Sequence, residues 1–313
     1  MLDRYLLRYF LAVVDQGNFS RAASQCNVSQ PTLSVGIAKL ERELGQPIFV
    51  RSNQRVELTD AGAHFLVHAR RIEREYNLAQ QSMGLAGAMP ALRIGVLASI
   101  PADPVAAAIG QTRPGDHYRF ELLFGSEREL TGHLAKGRID LALTLVERGA
   151  DRFAERFVLA ENYGLALPAD HRLAGERDID AAELANEVMI VRRHCEALSD
   201  TSRFFTERGV RPHFSLRSTN DERVLAMVAA GLGITVMPDS HAYPGVVRPR
   251  LAGFQVERRI GWMAAQAAET LLTQPAPLMP AMEEALIRQA GRMKSIGARN
   301  SIRSPGTSAG ARG

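Results

Sequence analysis

The run Val28-Ser29-Gln30-Pro31-Thr32-Leu33-Ser34-Val35-Gly36-Ile37-Ala38-Lys39-Leu40-Glu41-Arg42-Glu43-Leu44-Gly45 decides how this chain is read. Leu33, Ile37, Leu40 and Leu44 recur at spacings of 4, 3 and 4, which is one apolar stripe of a helix. Ser29 stands where it caps the first turn, and Pro31 sits inside that turn, where a missing N–H costs nothing. Gly45 ends the helix. The other side carries Pro31, Thr32, Ser34, Val35, Ala38 and Lys39, all short or basic. Upstream, residues 4–14 put Leu6, Phe10, Val13 and Val14 on one face before Gly17, and Asn18 opens a short Ala-rich helix. Downstream, Ile48-Phe49-Val50 and Arg55-Val56-Glu57-Leu58 flank a polar turn at 51–54, the pattern of a β-hairpin. Two short helices, a longer one and a basic-tipped hairpin make a winged helix-turn-helix. Its exposed face of short side chains can enter a major groove closely.

A long helix starts at Thr59-Asp60-Ala61-Gly62 and reaches residue 84. Along it Phe65, Ala69, Ile72, Tyr76, Ala79 and Met83 alternate spacings of 4 and 3, a coiled-coil seam that predicts pairing with a second copy. Residues 84–90, rich in Gly and Ala before Pro90, read as a hinge. Beyond it strands are expected at 92–97, 118–124, 139–145, 163–167, 188–191, 213–217 and 234–237. Helices are expected at 103–110, 127–136, 181–185, 198–208 and 220–230, with a last one at 280–291. This βα alternation implies open α/β sheets, and so many strands fit two lobes better than one, with crossings near 159–162 and 259–264. The expected domains are therefore a winged helix-turn-helix at 1–59, a linker and dimerisation helix with hinge at 60–89, and a two-lobed domain at 90–291. Within it, lobe I takes 90–160 and 265–291 and lobe II takes 161–264. A basic, disordered tail at 292–313 completes the chain.

Composition narrows the classes. A content of 46% hydrophobic and 23% charged residues describes a globular chain, and no apolar run approaches a membrane span. The start is too charged for a secretory signal, and Cys26 and Cys195 make no disulfide framework, so a reducing cytoplasm is expected. The net charge of +4 says little about nucleic acid, because six basic residues lie from Arg288 onward and the rest holds 32 basic against 34 acidic residues. No CxxC or Walker pattern occurs, and Gly231-Leu232-Gly233 lacks the rest of a dinucleotide fingerprint, so no enzyme, cofactor or metal site is expected. A transporter's solute-binding protein would share the two lobes but would carry a secretion signal where the helix-turn-helix stands.

Several segments resemble one known family. Leu7-Arg8-Tyr9-Phe10, Asn18-Phe19-Ser20-Arg21-Ala22-Ala23, Val28 to Ser34, Leu40-Glu41, Leu44-Gly45, Phe49-Val50-Arg51 and Leu58-Thr59-Asp60-Ala61-Gly62 look like the signature of LysR-type transcriptional regulators. Looser landmarks follow in order at Leu92-Arg93-Ile94-Gly95, Gly137 to Leu143, Leu167 to His171 and Ala229 to Ile234, so the resemblance covers about residues 1–290. It implies a two-lobed α/β effector domain of the periplasmic-binding-protein-like type 2 fold. It also implies sequence-specific promoter binding as a homodimer or homotetramer, with a small-molecule effector and RNA polymerase as partners. Gly36 departs from the family, which usually has a longer polar residue there. That departure predicts one lost DNA contact.

For DNA, Gln30 can pair with adenine, Thr32 and Ser34 reach bases or phosphates, and Val35 touches a thymine methyl. The resemblance supports Gln30, Pro31, Thr32 and Ser34 as groove-facing, while Lys39, Arg51 and Arg55 suit phosphates or the minor groove. Equally, these are what an ordinary solvated helix face would show. For the effector, Ser99, Ser126, Thr219 and Asn220 follow strands or precede helices, as do Arg192, Arg193, His194 and Cys195. These positions look like the family's effector pocket, and two arginines favour a carboxylate-bearing ligand. The hydroxyls serve equally well as helix caps. His194-Cys195 also resembles the peroxide-sensing branch of the family, whose disulfide partner lies a short way downstream; Glu196 to Gly209 holds no cysteine. The alternative function is therefore a single-thiol redox or electrophile sensor using Cys195, its thiol pKa lowered by the neighbouring His and Arg residues. Cys26 is expected in the helix-turn-helix core.

Overall fold

The computed structural model describes residues 2–51, 56–83, 91–112, 119–149 and 152–299. Helices α1 (Arg4–Gln16), α2 (Phe19–Gln25) and α3 (Gln30–Leu44) precede a hairpin of β1 (Phe49–Arg51) and β2 (Val56–Leu58). The caps are those the residue types require. Asn18 accepts from the N–H groups of Ser20 and Arg21, Ser29 accepts from Thr32, and Gly17 and Gly45 close their helices in the left-handed region. Leu6, Phe10, Val13, Ala22, Leu33, Ile37 and Leu40 are wholly buried in one core, with the Phe10 ring 5.4 Å from Phe49 and 5.0 Å from Phe65. Gly36 lies in that core. A Cβ there would stand 2.6 Å from Cδ2 of Tyr9. The glycine therefore removes a clash with α1, and the expected loss of a DNA contact does not arise because position 36 faces the core.

The long helix α4 (Asp60–Ser82) is fastened to the hairpin at its start. Thr59 Oγ1 donates to the Pro47 carbonyl at 2.7 Å and accepts from the Gly62 N–H at 3.0 Å. A Cβ on Gly62 would lie 2.1 Å from the Ile48 carbonyl oxygen, so the Thr-Asp-Ala-Gly run is set by the close approach of helix to strand. The heptad seam divides. Ala69 is buried and Phe65 is half-buried, both packed on the helix-turn-helix core, while Ile72, Tyr76, Ala79 and Met83 are exposed.

By packing, the chain forms two compact units, residues 1–97, 114–156 and 262–276 in the first, and 98–113, 157–261 and 277–313 in the second. In the first, β3 (Ala91–Leu97) lies between parallel strands β4 (Arg119–Gly125) and β5 (Leu141–Leu145). In the second, α5 (Ala102–Gln111) packs on the last helix, Leu278–Arg299. Both helices are expected in lobe I, and by packing they fall in the second unit. Helix α6 (Glu127–Ala135) covers the first unit's strands, and β6 (Ala154–Pro168) carries the chain into the second unit.

There follow β7 (Asp178–Ile179), β8 (Val188–Arg192), α7 (Leu198–Glu207), β9 (His213–Ser218) and α8 (Asp221–Ala229). After them come β10 (Thr235–Pro238), β11 (Val246–Val247), β12 (Arg250–Leu251) and β13 (Glu257–Ala264), which returns the chain to the first unit. Helices α9 (Thr270–Thr273) and α10 (Leu278–Arg299) end the described chain. Strand β10 pairs antiparallel with β6, and β8 pairs parallel with β9. Three expectations differ. Strand β6 begins nine residues before the expected 163, Ala181–Leu184 is a 3-10 turn, and α10 runs on to Arg299, so the first eight residues of the supposed tail are helical.

Candidate DNA-reading surface and effector site

The surface of α3 follows from its stripe. With Leu33, Ile37 and Leu40 at 0% exposure, the opposite face is outside: Gln30, Pro31 and Thr32 are exposed, and Val35 is 67% exposed. Ser34, Ala38 and Lys39 are half-buried. Gln30 Nε2 donates to Ser34 Oγ at 3.1 Å, and the hydroxyls of Ser29 and Thr32 lie 2.7 Å apart, so these polar groups are held near one another at the helix's N-terminal end. An apolar side chain left so open beside hydrogen-bonding ones suits the edge of a base pair, where a thymine methyl adjoins donors and acceptors. Lys39 is committed differently from expectation. Its ammonium donates to Tyr5 Oη and Asp3 Oδ2 at 3.1 and 3.0 Å, and these bonds raise its pKa. The backbone of Arg51 pairs with Val56 in the hairpin, and Arg55 lies outside the described residues.

In the second unit the predicted effector residues fall around two buried charge clusters. Arg192, at the end of β8, donates to Asp221 through Nε at 2.6 Å and Nη2 at 2.5 Å. His194 and His241 place their Nε2 atoms 3.2 and 3.4 Å from the same Asp221 Oδ2. Burial alone would raise the Asp221 carboxyl, but Arg192, with the two histidines close by, holds it well below the carboxylate range. Burial pushes His241 the other way, down to about 4, against the pull of Asp221, so it is neutral. The second cluster centres on Arg258, which donates to Glu161 Oε1 from Nε at 2.9 Å and from Nη2 at 2.7 Å, and to Ser99 Oγ at 2.8 Å. Arg258 also bonds Glu196, which Tyr163 reaches at 2.7 Å, and Glu196 is held at about 2: burial opposes this, and the arginine outweighs it.

The predicted residues sort as follows. Ser99 is wholly buried in the Arg258 cluster, and Arg192, His194 and Cys195 share the other. Arg193 is exposed. Ser126 caps α6 in a reciprocal capping box with Glu129, and Asn220 caps α8 by accepting from Arg223 N–H at 2.8 Å. Thr219 is exposed, and Ser126 belongs to the other compact unit. The thiol of Cys195 is not activated as expected. Burial pushes its pKa up and outweighs Arg192, whose Nη1 lies 3.2 Å from Sγ, while Glu196 and Asp221 add to the rise. Sequence reasoning missed Glu161, Asp221, His241, Glu196 and Arg258. The one available signal was the period-two alternation that puts Arg258 on the same strand face as Ile260 and Trp262.

A winged helix-turn-helix with an open α3 face, joined to α/β units enclosing buried polar clusters, defines a DNA-reading regulator with a ligand-sensing domain. Comparison agrees. Residues 5–63 match the family described as bacterial regulatory helix-turn-helix protein, lysR family, and residues 86–274 match the LysR substrate binding domain. The chain belongs to the LysR family of transcriptional regulators. It is 30% identical over 239 residues to the DNA-binding transcriptional dual regulator OxyR of Escherichia coli, covering 74% of this chain and 77% of that one. It is 30% identical over 297 residues to the RuBisCO operon transcriptional regulator of Allochromatium vinosum, covering 92% and 96%. The solved structure of ArgP from Mycobacterium tuberculosis shares the fold, with a TM-score of 0.69 at 19% identity over 91% of this chain and 98% of that one. Among the described residues, no helix is long and apolar enough to cross a membrane.

Proposed function

We propose that this chain is a cytoplasmic regulator without catalytic activity that reads an interrupted palindrome in promoter DNA as a homodimer or dimer of dimers. The observation that carries this is the α3 face, where Gln30, Thr32 and a 67% exposed Val35 stand over a fully buried Leu33-Ile37-Leu40 spine. Gln30, Pro31, Thr32, Ser34 and Val35 face the groove: Gln30 pairs with adenine, Thr32 and Ser34 reach bases or phosphates, and Val35 touches a thymine methyl. Lys39, Arg51 and Arg55 serve phosphates, Lys39 by exchanging its bonds to Asp3 and Tyr5. Pairing runs through Ile72, Tyr76, Ala79 and Met83, the outward part of the seam.

The second domain takes a small effector near the Ser99 and Arg192–Cys195 segments. Arg192 is saturated by Asp221, so Arg193 is the arginine left to meet a carboxylate. Nuclease footprinting of the region upstream of the chain's own gene tests this reading. It should show two protected half-sites about one helical turn, ~34 Å, or a multiple apart. A single protected site, or none at physiological salt, would refute it.

A further inference from the structure

A cavity of 230 Å³ in the first unit shares no lining residue with either charge cluster and is walled by α1, the end of α2, α4 and the start of β3. It is lined by residues of α1, α2 and α4, by Ala91 and Arg93 of β3 and by Asp140 just before β5, all within one compact unit. At 230 Å³ it is several times the roughly 30 Å³ that one liquid water occupies. Its charges are unevenly satisfied. Asp15 of α1 bonds Arg70 of α4 at 2.8 Å and Arg93 of β3 at 2.9 Å, and Arg93 also pairs with Glu121 at 3.4 Å. Glu73 is already taken by Arg4, at 2.8 and 3.1 Å.

The lining carries the carboxylates of Asp15, Glu73 and Asp140 beside three arginines, yet two of the cationic groups are left short of partners. The Arg70 side chain is only 9% exposed, and its buried Nε has no hydrogen-bond partner. A buried donor in that state costs about 1–3 kcal/mol, and more on a charged group, so natural sites seldom leave one idle. Arg8, on the same wall, makes no ion pair or side-chain hydrogen bond with any described residue. Cys26 stands beside it, its Sγ 4.0 Å from the Arg8 carbonyl oxygen.

We propose that this cavity binds a small oxyanion, a phosphate or a short carboxylate, held by Arg8 and Arg70, and so joins the DNA-reading domain to the strand that begins the effector domain. The ligand offers acceptors to Arg8 and to the Arg70 guanidinium, whose one described carboxylate partner is Asp15. It clamps α1, α4 and β3 together, giving the regulator a second chemical input independent of the effector site proposed above. The site stands whether or not that effector reading holds, because none of its residues belongs to the Arg192 or Arg258 clusters.

The cysteine at the wall provides a local readout. Full-length protein is alkylated with iodoacetamide, and the rates at Cys26 and Cys195 are followed separately by peptide mass spectrometry. Inorganic phosphate or succinate is titrated against sodium chloride at matched ionic strength. Saturating protection of Cys26 by phosphate, succinate or both, with the Cys195 rate unchanged, supports the site, and the protecting anion identifies its source. Arg8 is exposed, so Arg8→Gln keeps the fold. It should move the half-protection concentration upward roughly tenfold or more, the loss of one charge-assisted bond, while Arg8→Lys recovers part of it. Equal protection by chloride, no protection, parallel slowing of Cys195, or an Arg8→Gln midpoint equal to wild type would each overturn the proposal.

Discussion

Replacing Gly36 with alanine should weaken the helix-turn-helix, although alanine is the better helix former. Ala in place of a mid-helix glycine gains about 0.5–1 kcal/mol from backbone entropy. Against that, the new Cβ would stand 2.6 Å from Tyr9 Cδ2 and 2.9 Å from Cε2, where ordinary contact begins at 3.4 Å. The ring would have to retreat by about 0.8 Å, and it is half-buried and held edge-on by Tyr5 at 5.6 Å. Overpacking of this kind costs about 1–3 kcal/mol, so the net effect is destabilisation by about 1 kcal/mol. In a Tyr9→Ala background the obstacle is gone, and the same substitution should stabilise by about 0.5–1 kcal/mol. The sign reversal can be read from amide hydrogen exchange at Ile37 and Leu40, in wild type, both single variants and the double variant. If Gly36→Ala changes the exchange free energy equally in both backgrounds, Tyr9 does not occupy the space assigned to it.

Other expectations follow from the buried charges and the helix seam. Asp221→Asn leaves Arg192 buried without its counter-ion and should cost about 3–5 kcal/mol in denaturant unfolding of the effector domain; a loss below 1 kcal/mol would show the pair is not buried as described. His241 stays neutral when folded, with its pKa held down at about 4 against an ordinary 6.5, so the unfolded chain takes up the proton first. Stability is therefore full above pH 6.5 and falls as pH drops from 6.5 to 4, by up to about 3 kcal/mol at roughly 1.4 kcal/mol per unit. A His241→Gln variant should show a flatter slope in that window. Glu196, held at about 2, drains stability only from its ordinary 4.5 downward, which separates the two groups in a pH series. Replacing exposed Ile72 with lysine should shift sedimentation toward monomer while leaving the thermal midpoint within a few degrees; an unchanged oligomer would remove α4 from the pairing surface.

The DNA-reading half was legible because its information is local. Stripe spacing, caps at Asn18 and Ser29, and glycines at 17 and 45 each speak to a neighbour within a turn or two. Gly36 was misread although the pattern held the answer. Position 36 lies three residues after Leu33 and four before Leu40, which places it on the buried stripe. The α4 seam was also local, but spacing cannot tell whether Phe65 and Ala69 serve a partner or their own domain, and here they pack at home. The buried clusters were legible only in part: Ser99, Arg192, His194 and Cys195 were expected, and their charged partners were not. Glu161 and Arg258 are 97 residues apart and Arg192 and Asp221 are 29 apart, and a lone charged residue in sequence reads as solvated until its partner is placed beside it. The Cys195 reading erred for a related reason. Neighbouring cations were visible in sequence, but the burial that outweighs them was not.

The most direct test is the affinity of full-length protein for a duplex from its own promoter and for a scrambled duplex, measured by fluorescence anisotropy across a salt series, with Gln30→Ala and Val35→Ala alongside. The wild type should prefer its own site by about a thousandfold or more at physiological salt. Each variant should lose about 1–3 kcal/mol of that preference with the salt slope unchanged. Equal affinity for both duplexes, or variants that bind both as wild type does, would contradict the assignment of base reading to the open face of α3.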